Sequence, residues 1–564
     1  MYLETSARNI TAPCRVGLLL LLIFLSFPLY ALSFFDDRPP RELAAALEQA
    51  MTDEQVLAQV FMLGWVGAEP SPLILEWIRE RQLGGVKIFG WNTDDTMLLA
   101  RTVGVLQQES LRGPFNIPLL VATDQEGGWI RHVRGNTSQT PGNMAIGASG
   151  FPRDAYLAGY YIGRELALLG INMNFAPTVD LFTNRNSAII GPRSFGSDPI
   201  NVGLLGAAFA RGQLDAGVIP TAKHFPGHGD TPLDSHGVLP RIDVEFETLW
   251  NRELIPYRML IAEGIPAVMS GHLAFPLTPG GGAPASFSRW FLTDVLRNKM
   301  GFDGLIITDD LMMYGATIWA GAVSGSAKQA LEAGNDIIML STTPGLHAPV
   351  WTLLLNSMRE NPAFRARVRE AARRTLLLKL QHLRGENAVP LIPDLQRVAS
   401  ELPHYEGIPF FLNLAARSAT IVKPQGACPA RGAVVPIRPE DAGRVLLAGQ
   451  SSEFFRLGRI AFPGAASYWY AEGVNIPEFL TFVEQADTII FGLSNASGVR
   501  VLQQLRRFGR RVIVLSQLNP VHFEQVPWVD GIVAIYSNNP DSLAAGFAAI
   551  VGRIPAAGRL PYDL

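Results

Sequence analysis

Short apolar runs alternate with longer amphipathic stretches from about residue 36 to about residue 382, and this alternation constrains the fold of the 564-residue chain more than any other feature. The pattern is typical of repeated βα units, in which each buried strand is followed by a helix. The apolar runs lie at 61–67, 84–90, 118–124, 172–180, 218–225, 267–275, 304–310 and 336–341. These runs predict an α/β fold built on a (β/α)8 barrel of the TIM type.

The amphipathic stretch before the first of these strands carries a helix start signal. Thr52 is followed three residues later by Gln55, which is the spacing of a capping box. In that motif each of the two side chains accepts a hydrogen bond from the other residue's backbone N–H. We therefore predict a helix that begins next to Thr52 and leads into the first barrel strand.

A second domain follows the barrel pattern. A proline-containing stretch comes after the last helical run, so we place the barrel domain at 36–385 and a linker at 386–414. Further apolar runs lie at 444–449, 487–494, 511–517 and 531–537. They predict a smaller α/β sandwich domain over 415–564, with a mostly parallel sheet between helices. No G-x-G-x-x-G fingerprint follows its first strand, so nothing supports dinucleotide binding.

The first 33 residues differ in composition from the rest of the chain. Arg8 and Arg15 precede a stretch without charge that runs from residue 16 to residue 33, which is typical of an export signal. The segment is either cleaved before Phe34 or kept as an N-terminal membrane anchor. Both alternatives predict a periplasmic, extracellular or membrane-anchored protein whose body lies outside the cytoplasm. The formal net charge of −3 argues against nucleic acid as a ligand.

Ionisable residues gather at the predicted carboxyl ends of the barrel strands. These ends read TDQEGG, KHFPGHGD, SGH and TDD. In barrels of this type the catalytic residues come from the carboxyl ends of the strands and from the loops that follow them. The sequence therefore predicts an active site at this face of the barrel.

The segment from residue 223 to residue 240 is the densest of these groups and allows three interpretations. As a metal site, it offers His224, His228, Asp230 and His236 as ligands, but Lys223 would place a second cation beside the ion. The spacing also matches no helical zinc motif. As a purely structural loop, it would put an unusual density of ionisable groups on the functional face of the barrel.

The third interpretation is an acid/base site, and it is the one we favour. Asp234 and His236 lie close enough in the sequence for the carboxylate to accept a hydrogen bond from one imidazole nitrogen. The other nitrogen is then free to exchange a proton with a substrate.

A second chemical signal is the pair Asp309 and Asp310, which ends the apolar strand LIIT. One of these carboxylates can point into the barrel mouth as a nucleophile. Adjacent residues on a strand point to opposite faces, so the two acids cannot share one role. A helix N-cap is the alternative, and it suits Asp310 better than Asp309.

Five ordered segments resemble the motifs of glycoside hydrolase family 3, in particular its β-N-acetylglucosaminidase branch. They read DQEGG, GPRSFGSDP, KHFPGHGDTPLDSH, GLIITDDLMM and AGNDIIMLS, and the closing AAGRLPYDL resembles the end of the family's α/β sandwich domain. The DSH element discriminates most, because the β-glucosidases of the family lack this loop and take a catalytic Glu from the second domain.

The resemblance implies a role for each matching residue. It makes Asp309 the nucleophile and His236 with Asp234 the general acid/base dyad. The residues that it assigns to sugar binding are Asp124, Arg193, Lys223 and His224. It implies a retaining double displacement, with neither a metal nor a cofactor.

One motif departs from the family pattern. After DQEGG the N-acetylglucosaminidase relatives usually continue with Arg, two residues and Arg, whereas Trp129 and His132 occupy those positions here. This puts a sugar contact by the second Arg in doubt, although Arg131 or Arg134 could substitute. The change affects the outer hydroxyls of the sugar and leaves the proposed catalytic residues untouched.

The implied activity is exo-hydrolysis of terminal β-linked N-acetylglucosamine from peptidoglycan or chitin fragments. Three alternatives stay open. A β-N-acetylglucosaminide phosphorylase would use the same fold, because a neutral His does not repel phosphate as a carboxylate would. A β-glucosidase of the same family and a non-enzymatic cell-wall sugar-binding protein are the others.

Overall fold

The computed structural model describes residues 32–341, 344–423, 434–473 and 476–563. The expected export segment, 1–33, lies outside these ranges except for its last two residues. None of the helices within the described ranges has the length and apolar character needed to cross a membrane.

Eight parallel strands close into a barrel in the order β1-β10-β9-β8-β7-β6-β3-β2, which confirms the predicted architecture. The barrel strands are β1 (Phe61–Leu63), β2 (Gly85–Ile88), β3 (Leu120–Thr123), β6 (Met173–Asn174), β7 (Ile219–Phe225), β8 (Ala267–Ser270), β9 (Leu305–Asp310) and β10 (Ile337–Leu340). A two-stranded hairpin of β4 (Gln125–Gly127) and β5 (Ile130–Arg131) lies between β3 and β6. Each of the eight predicted runs contains one barrel strand.

Helices surround the barrel and precede or follow its strands. They are α1 (Pro40–Ala50), α2 (Asp53–Gln59), α3 (Pro72–Arg81), α4 (Thr96–Leu111), α5 (Asn143–Ser149), α6 (Pro152–Leu168), α7 (Pro199–Asp215), α8 (Phe246–Asn251), α9 (Leu254–Ala262), α10 (Tyr314–Ala320), α11 (Val323–Ala333), α12 (Ala348–Glu360) and α13 (Pro362–His382). A π-helical segment, Trp290–Lys299, precedes β9. The predicted capping box is present: Thr52 and Gln55 each accept the other's backbone N–H at the start of α2.

The strand β6 is much shorter than its apolar run, which extends from 172 to 180. Its regular pairing stops after Asn174, and Pro177 follows, which has no N–H to donate to a ladder. Irregular hydrogen bonds to β7 continue beyond it: the carbonyl oxygen of Pro177 accepts the Lys223 N–H at 3.2 Å, and the Val179 N–H donates to the carbonyl oxygen of Lys223 at 2.9 Å. This irregular segment brings Asp180 beside the end of β7, where its carboxylate contacts His224.

The second domain is a six-stranded sheet in the order β11-β16-β15-β14-β12-β13. Its strands are β11 (Thr420–Val422), β12 (Val445–Gly449), β13 (Ala466–Trp469), β14 (Thr488–Leu493), β15 (Arg511–Ser516) and β16 (Gly531–Ala534). Two helices, α14 (Leu395–Glu401) and α15 (Gly407–Ser418), connect the barrel to it, and α16 (Ser452–Ala461), α17 (Ile476–Gln485), α18 (Ala496–Gln503) and α19 (Pro540–Ile550) follow. An apolar cluster covers each face of the sheet.

The sequence pattern did not predict the two edge strands of this sheet. β11 has only three residues and pairs antiparallel with β16, while β13 is exposed or half-buried along its length. Neither forms the buried apolar run that marks the four inner strands.

The two domains meet at loops that follow β3 and β6. Met144, in α5 of the barrel domain, belongs to an apolar cluster of the second domain. The ring of Tyr562 lies edge-on to Phe182 with centroids 5.3 Å apart, and the Ser197 N–H donates to the carbonyl oxygen of Pro561 at 3.0 Å. The closing segment of the chain therefore braces the loop between β6 and α7, which also carries Arg193.

Candidate active site

The predicted site residues lie at one end of the barrel. Asp124 directly follows β3, Lys223 and His224 are the last polar residues of β7, and Asp309 lies at the end of β9. Arg193 comes from the loop after β6. Parallel strands bring their carboxyl ends to the same edge, so residues almost two hundred positions apart share one mouth.

Asp124 is held between two lysine side chains. Its Oδ2 lies 2.7 Å from the Nζ of Lys87, and its Oδ1 accepts from the Nζ of Lys223. Burial by itself raises the pKa of Asp124, but the two ammonium groups lower it well below its usual value. Asp124 is therefore a carboxylate, and its remaining lone pairs can accept sugar hydroxyls.

Glu126 pairs with Arg193 through two parallel hydrogen bonds, Nε to Oε2 at 2.9 Å and Nη2 to Oε1 at 2.8 Å. Lys223 adds a third cationic contact at 2.6 Å from Oε1. Burial opposes ionisation of Glu126, but Arg193 and Lys223 lower its pKa to about 2. The pair fixes the guanidinium at the pocket wall.

Asp180 orients His224. The Oδ2 of Asp180 lies 2.7 Å from the Nδ1 of His224, and its Oδ1 accepts the backbone N–H of His228 at 2.6 Å. The Nε2 of His224 lies 3.3 Å from the Nη2 of Arg193, which can only donate. When the ring is neutral, these partners place its proton on Nδ1 and leave Nε2 as an acceptor.

The two adjacent acids on β9 have different surroundings. Asp309 accepts the Asp310 N–H at 2.8 Å, and although burial raises its pKa, the imidazoles of His224 and His272 bring it below the usual value. The Oδ1 of Asp310 instead accepts the N–H groups of Met312 and Ser341 at 3.0 and 3.1 Å. Asp309 is thus an ionised group at the end of β9, whereas the carboxylate of Asp310 is occupied by hydrogen bonds from the main chain.

The N-cap alternative for Asp310 is wrong in detail. The helix α10 begins at Tyr314, and its N-cap is Met313, so Asp310 lies outside the cap position. The carboxylate nevertheless accepts backbone N–H groups, one in the turn after β9 and one directly after β10, where neither lies within a regular strand.

Asp234 and His236 form the expected hydrogen-bonded pair. The Nδ1 of His236 lies 2.7 Å from the Oδ1 of Asp234, which also accepts the His236 backbone N–H at 2.9 Å. Burial raises the pKa of Asp234, but the two hydrogen bonds from His236 lower it below the usual value. The side chains are 48% exposed for Asp234 and 65% for His236, so the Nε2 of the imidazole is open to substrate and water.

Main-chain contacts dock the loop that carries this dyad on the start of α10. The N–H of Gly315 donates to the carbonyl oxygen of Ser235 at 3.1 Å, and the N–H of Tyr314 donates to that of His236 at 3.3 Å. Since α10 follows β9 by a short turn, docking holds the dyad loop against the segment that directly follows Asp309 and Asp310. The His236 charge is one of the causes that lower the pKa of Asp309.

The structure does not assemble the alternative metal site. The side chains considered as ligands each contact a different neighbour, namely Asp180 for His224, Ser235 for His228, Arg252 for Asp230 and Asp234 for His236. Within the described ranges, no three His, Cys, Asp or Glu side chains are grouped so that they could hold a metal ion.

Sequence reasoning missed three polar residues of the site: Lys87, Glu126 and Asp180. Glu126 lies inside the DQEGG motif and Asp180 ends the run 172–180, so both occupied places that the strand-end argument already marked. Lys87 carried no such signal, because it lies within an apolar strand rather than after it.

The sequence is similar to known proteins over its barrel domain. The model of the glycosyl hydrolase family 3 N-terminal domain matches residues 52–377, more than half of the chain. A β-hexosaminidase of Tolumonas auensis is 39% identical over 282 residues, which cover 49% of this chain and 81% of the relative. β-Hexosaminidase A of Pseudoalteromonas piscicida is 33% identical over 329 residues, and there the match spans only 55% of the relative.

A solved structure is similar along nearly the whole chain. The family 3 β-N-acetylglucosaminidase from Paenibacillus sp. str. FPU-7 superposes with a TM-score of 0.82 at 30% identity. The match covers 91% of this chain and 99% of that one, so it includes both domains.

Proposed function

The chain belongs to glycosyl hydrolase family 3, and from this we propose that it is a retaining exo-β-N-acetylglucosaminidase. The observation that carries the proposal is the hydrogen-bonded Asp234–His236 dyad, on a loop docked against the start of α10, the helix that follows Asp309 in the chain. The dyad is the proton donor of the proposed reaction, and Asp309 is its carboxylate nucleophile. The names of the relatives, β-hexosaminidase and β-N-acetylglucosaminidase, support the N-acetylated substrate class.

In the first step a carboxylate oxygen of Asp309 attacks the anomeric carbon, and the bond from that carbon to the leaving oxygen breaks. His236, protonated at Nε2, gives this proton to the leaving oxygen. The Asp234 carboxylate stabilises the positive charge on the ring before transfer. The product of this step is a glycosyl ester on Asp309 and a neutral His236.

In the second step neutral His236 takes a proton from water, whose oxygen attacks the anomeric carbon and displaces Asp309. Two inversions give net retention of configuration. An imidazole exchanges protons near neutral pH, which suits one group to act first as acid and then as base.

The sugar binds against the charged groups at the ends of β3 and β7 and in the loop after β6. Asp124 accepts hydroxyl protons, while Lys223 and Arg193 donate to sugar oxygens, and charge-assisted bonds of this kind are the stronger ones. Asp124 and Glu126 pair with these cations, so these groups offer both donors and acceptors to the hydroxyls of a sugar. We further propose terminal N-acetylglucosamine of peptidoglycan or chitin fragments as the substrate and a location outside the cytoplasm.

The decisive experiment compares release of 4-nitrophenol from the N-acetyl-β-glucosaminide and the β-glucoside, with the anomer of the product followed by proton NMR. We expect cleavage of the N-acetylated substrate, first appearance of the β-anomer, and a loss of more than about 10³-fold in Asp309→Asn. Asp310→Asn is the matched control, since an amide oxygen still accepts the two backbone N–H groups. Preference for the glucoside, or an α-anomer, would refute the proposal.

Phosphate in the same assay separates hydrolase from phosphorylase. We expect free N-acetylglucosamine with and without phosphate. A sugar 1-phosphate as the main product would replace hydrolysis by phosphorolysis at the same residues.

A further inference from the structure

The loop that carries Asp234 and His236 is attached to the barrel domain through the residue between them. Ser235 is 3% exposed, whereas the side chains on either side of it are about half exposed or more. Its hydroxyl lies 3.1 Å from the Nε2 of His228, and its carbonyl oxygen accepts the N–H of Gly315. The position of the exposed dyad therefore depends on how this buried serine is held.

His228 is a buried histidine with one side-chain contact of this kind. Its ring makes a hydrogen bond to Ser235 through Nε2, and none of the described residues provides a partner for its Nδ1. Burial and the neighbouring imidazole of His224 lower the pKa of His228 to about 4, so the ring is neutral at neutral pH. A neutral, buried imidazole is suited to hold a hydroxyl in place rather than to pair with a charge.

The main chain of His228 is held by the same carboxylate that orients His224. The Oδ1 of Asp180 accepts the His228 N–H at 2.6 Å, and its Oδ2 lies 2.7 Å from the Nδ1 of His224. Asp180 and His224 are themselves buried. One carboxylate thus fixes both a candidate sugar-binding imidazole and the base of the dyad loop.

These contacts form a continuous series from the sugar-binding groups to the dyad: His224 to Asp180, Asp180 to His228, and His228 to Ser235. A general acid must lie within hydrogen-bonding distance of the oxygen that it protonates. A displacement of about 1 Å can cost about 10²-fold in rate. A series of buried contacts between the two groups is a means of keeping that distance constant.

We propose that His228 is a positioning residue, which holds Ser235 so that the imidazole of His236 stays within reach of the leaving oxygen of a bound sugar. His228 acts through Ser235 and exchanges no proton with the substrate. The proposal rests on the proposed function, because it concerns the placement of the acid in that reaction.

The first test removes only the hydroxyl that His228 holds. We expect Ser235→Ala to lower kcat for a β-linked disaccharide of N-acetylglucosamine by about 10-fold. The inhibition constant of free N-acetylglucosamine should change by less than about twofold, because the groups proposed to bind the sugar are untouched. The first step with an activated aryl glycoside should lose much less, since its leaving group needs little protonation.

Ser516→Ala is the matched control. Ser516 is a buried serine of the second domain whose hydroxyl has no hydrogen-bond partner among the described residues. Its removal should leave the kinetics with both substrates unchanged.

The second test asks whether His228 and Ser235 act through one contact. His228→Leu should lose at least as much kcat as Ser235→Ala, while His228→Gln, which keeps a polar group close to the position of Nε2, should recover at least about threefold over His228→Leu. The double variant His228→Leu/Ser235→Ala should be no slower than His228→Leu alone, because both changes remove the same hydrogen bond.

Wild-type kcat on the disaccharide in Ser235→Ala, equal losses on both substrates, or additive losses in the double variant would overturn the proposal. If His228→Leu does not fold, Ser235→Ala and its dependence on the leaving group still decide the question. A wild type without activity on either N-acetylated substrate would overturn the proposed function instead.

Discussion

Gly315 lies directly against Ser235. The N–H of Gly315 donates to the Ser235 carbonyl oxygen at 3.1 Å, and a Cβ added at position 315 would lie 2.9 Å from that same oxygen. Such an approach is available only to glycine, so the contact between α10 and the dyad loop depends on this residue.

We therefore expect Gly315→Ala to lift the dyad loop from α10. The variant should lose about 10- to 100-fold in kcat. The KM for a small glycoside should change little, because the proposed sugar-binding residues Asp124, Arg193 and Lys223 lie outside this loop and outside α10. Gly237→Ala is the control in the same loop, since a Cβ there meets no atom within 4 Å. Steady-state kinetics of the two variants test this expectation. An equal loss of kcat in Gly315→Ala and Gly237→Ala would show that the contact between the loop and α10 does not matter for catalysis.

The role of His236 can be tested through the leaving group. His236→Ala should slow cleavage of a β-linked disaccharide by about 10²-fold or more, whereas an activated aryl glycoside, which needs no protonation, should lose far less in its first step. Pre-steady-state release of the aryl alcohol measures that step. Equal losses on both substrates would count against His236 as the acid.

Glu126 is expected to be structural as well as functional. Glu126→Gln removes the only double hydrogen-bonded carboxylate on Arg193 that the described residues provide, and a buried cation without its partner costs about 3–5 kcal/mol. The melting temperature of Glu126→Gln should therefore be lower than that of wild type. A variant as stable as wild type would mean that Lys223 and Arg193 find other partners.

The lowered pKa of Glu126 predicts that the stability of the folded chain falls at acidic pH. Its pKa is about 2 in the folded chain against an ordinary 4.5, so its stabilisation is present above about pH 4.5 and is lost as the pH falls toward 2. The shift corresponds to about 3 kcal/mol. Thermal unfolding between pH 3 and pH 6 should show a steeper decline for wild type than for Glu126→Gln.

Lys379 has the opposite effect on stability. Burial lowers its pKa from 10.5 to about 7, and its Nζ donates to the Oε1 of Gln59 at 2.8 Å. Between about pH 7 and 10.5 the unfolded chain binds this proton and the folded chain does not, so stability rises with pH in that window.

We expect Lys379→Met to remove that pH dependence and to stabilise the barrel by about 2 kcal/mol at neutral pH, after the lost hydrogen bond to Gln59 is counted. Thermal melts from pH 6 to pH 10 test this. A lower melting temperature at neutral pH would show that the hydrogen bond outweighs the cost of burial.

The elements that could be predicted share one property: a short stretch of sequence contains the signal for each of them. The start of α2 follows from Thr52 and Gln55, whose side chains satisfy nearby N–H groups. The barrel strands are buried apolar runs. The edge strands leave no such run: β11 has only three residues, and β13 is exposed or half-buried along its length.

The site divides in the same way. Asp124, Lys223, His224 and Asp309 stand at the ends of apolar runs, where the barrel architecture places functional groups, and the family resemblance implied the role of each. The proximity of His236 to Asp309 could not be read from spacing. It depends on docking of the loop against Gly315, a contact between segments almost eighty residues apart.

The sequence by itself determined the barrel, the second α/β domain and the chemical types of the candidate groups, because hydrophobic periodicity and strand-end position are local properties. Only the tertiary structure decided which charges pair. Lys87 on β2 meets Asp124 after β3, and Asp180 meets His224, because closure of the barrel brings the ends of separate strands within hydrogen-bonding distance. Ionisation at this site follows from those partners rather than from residue type.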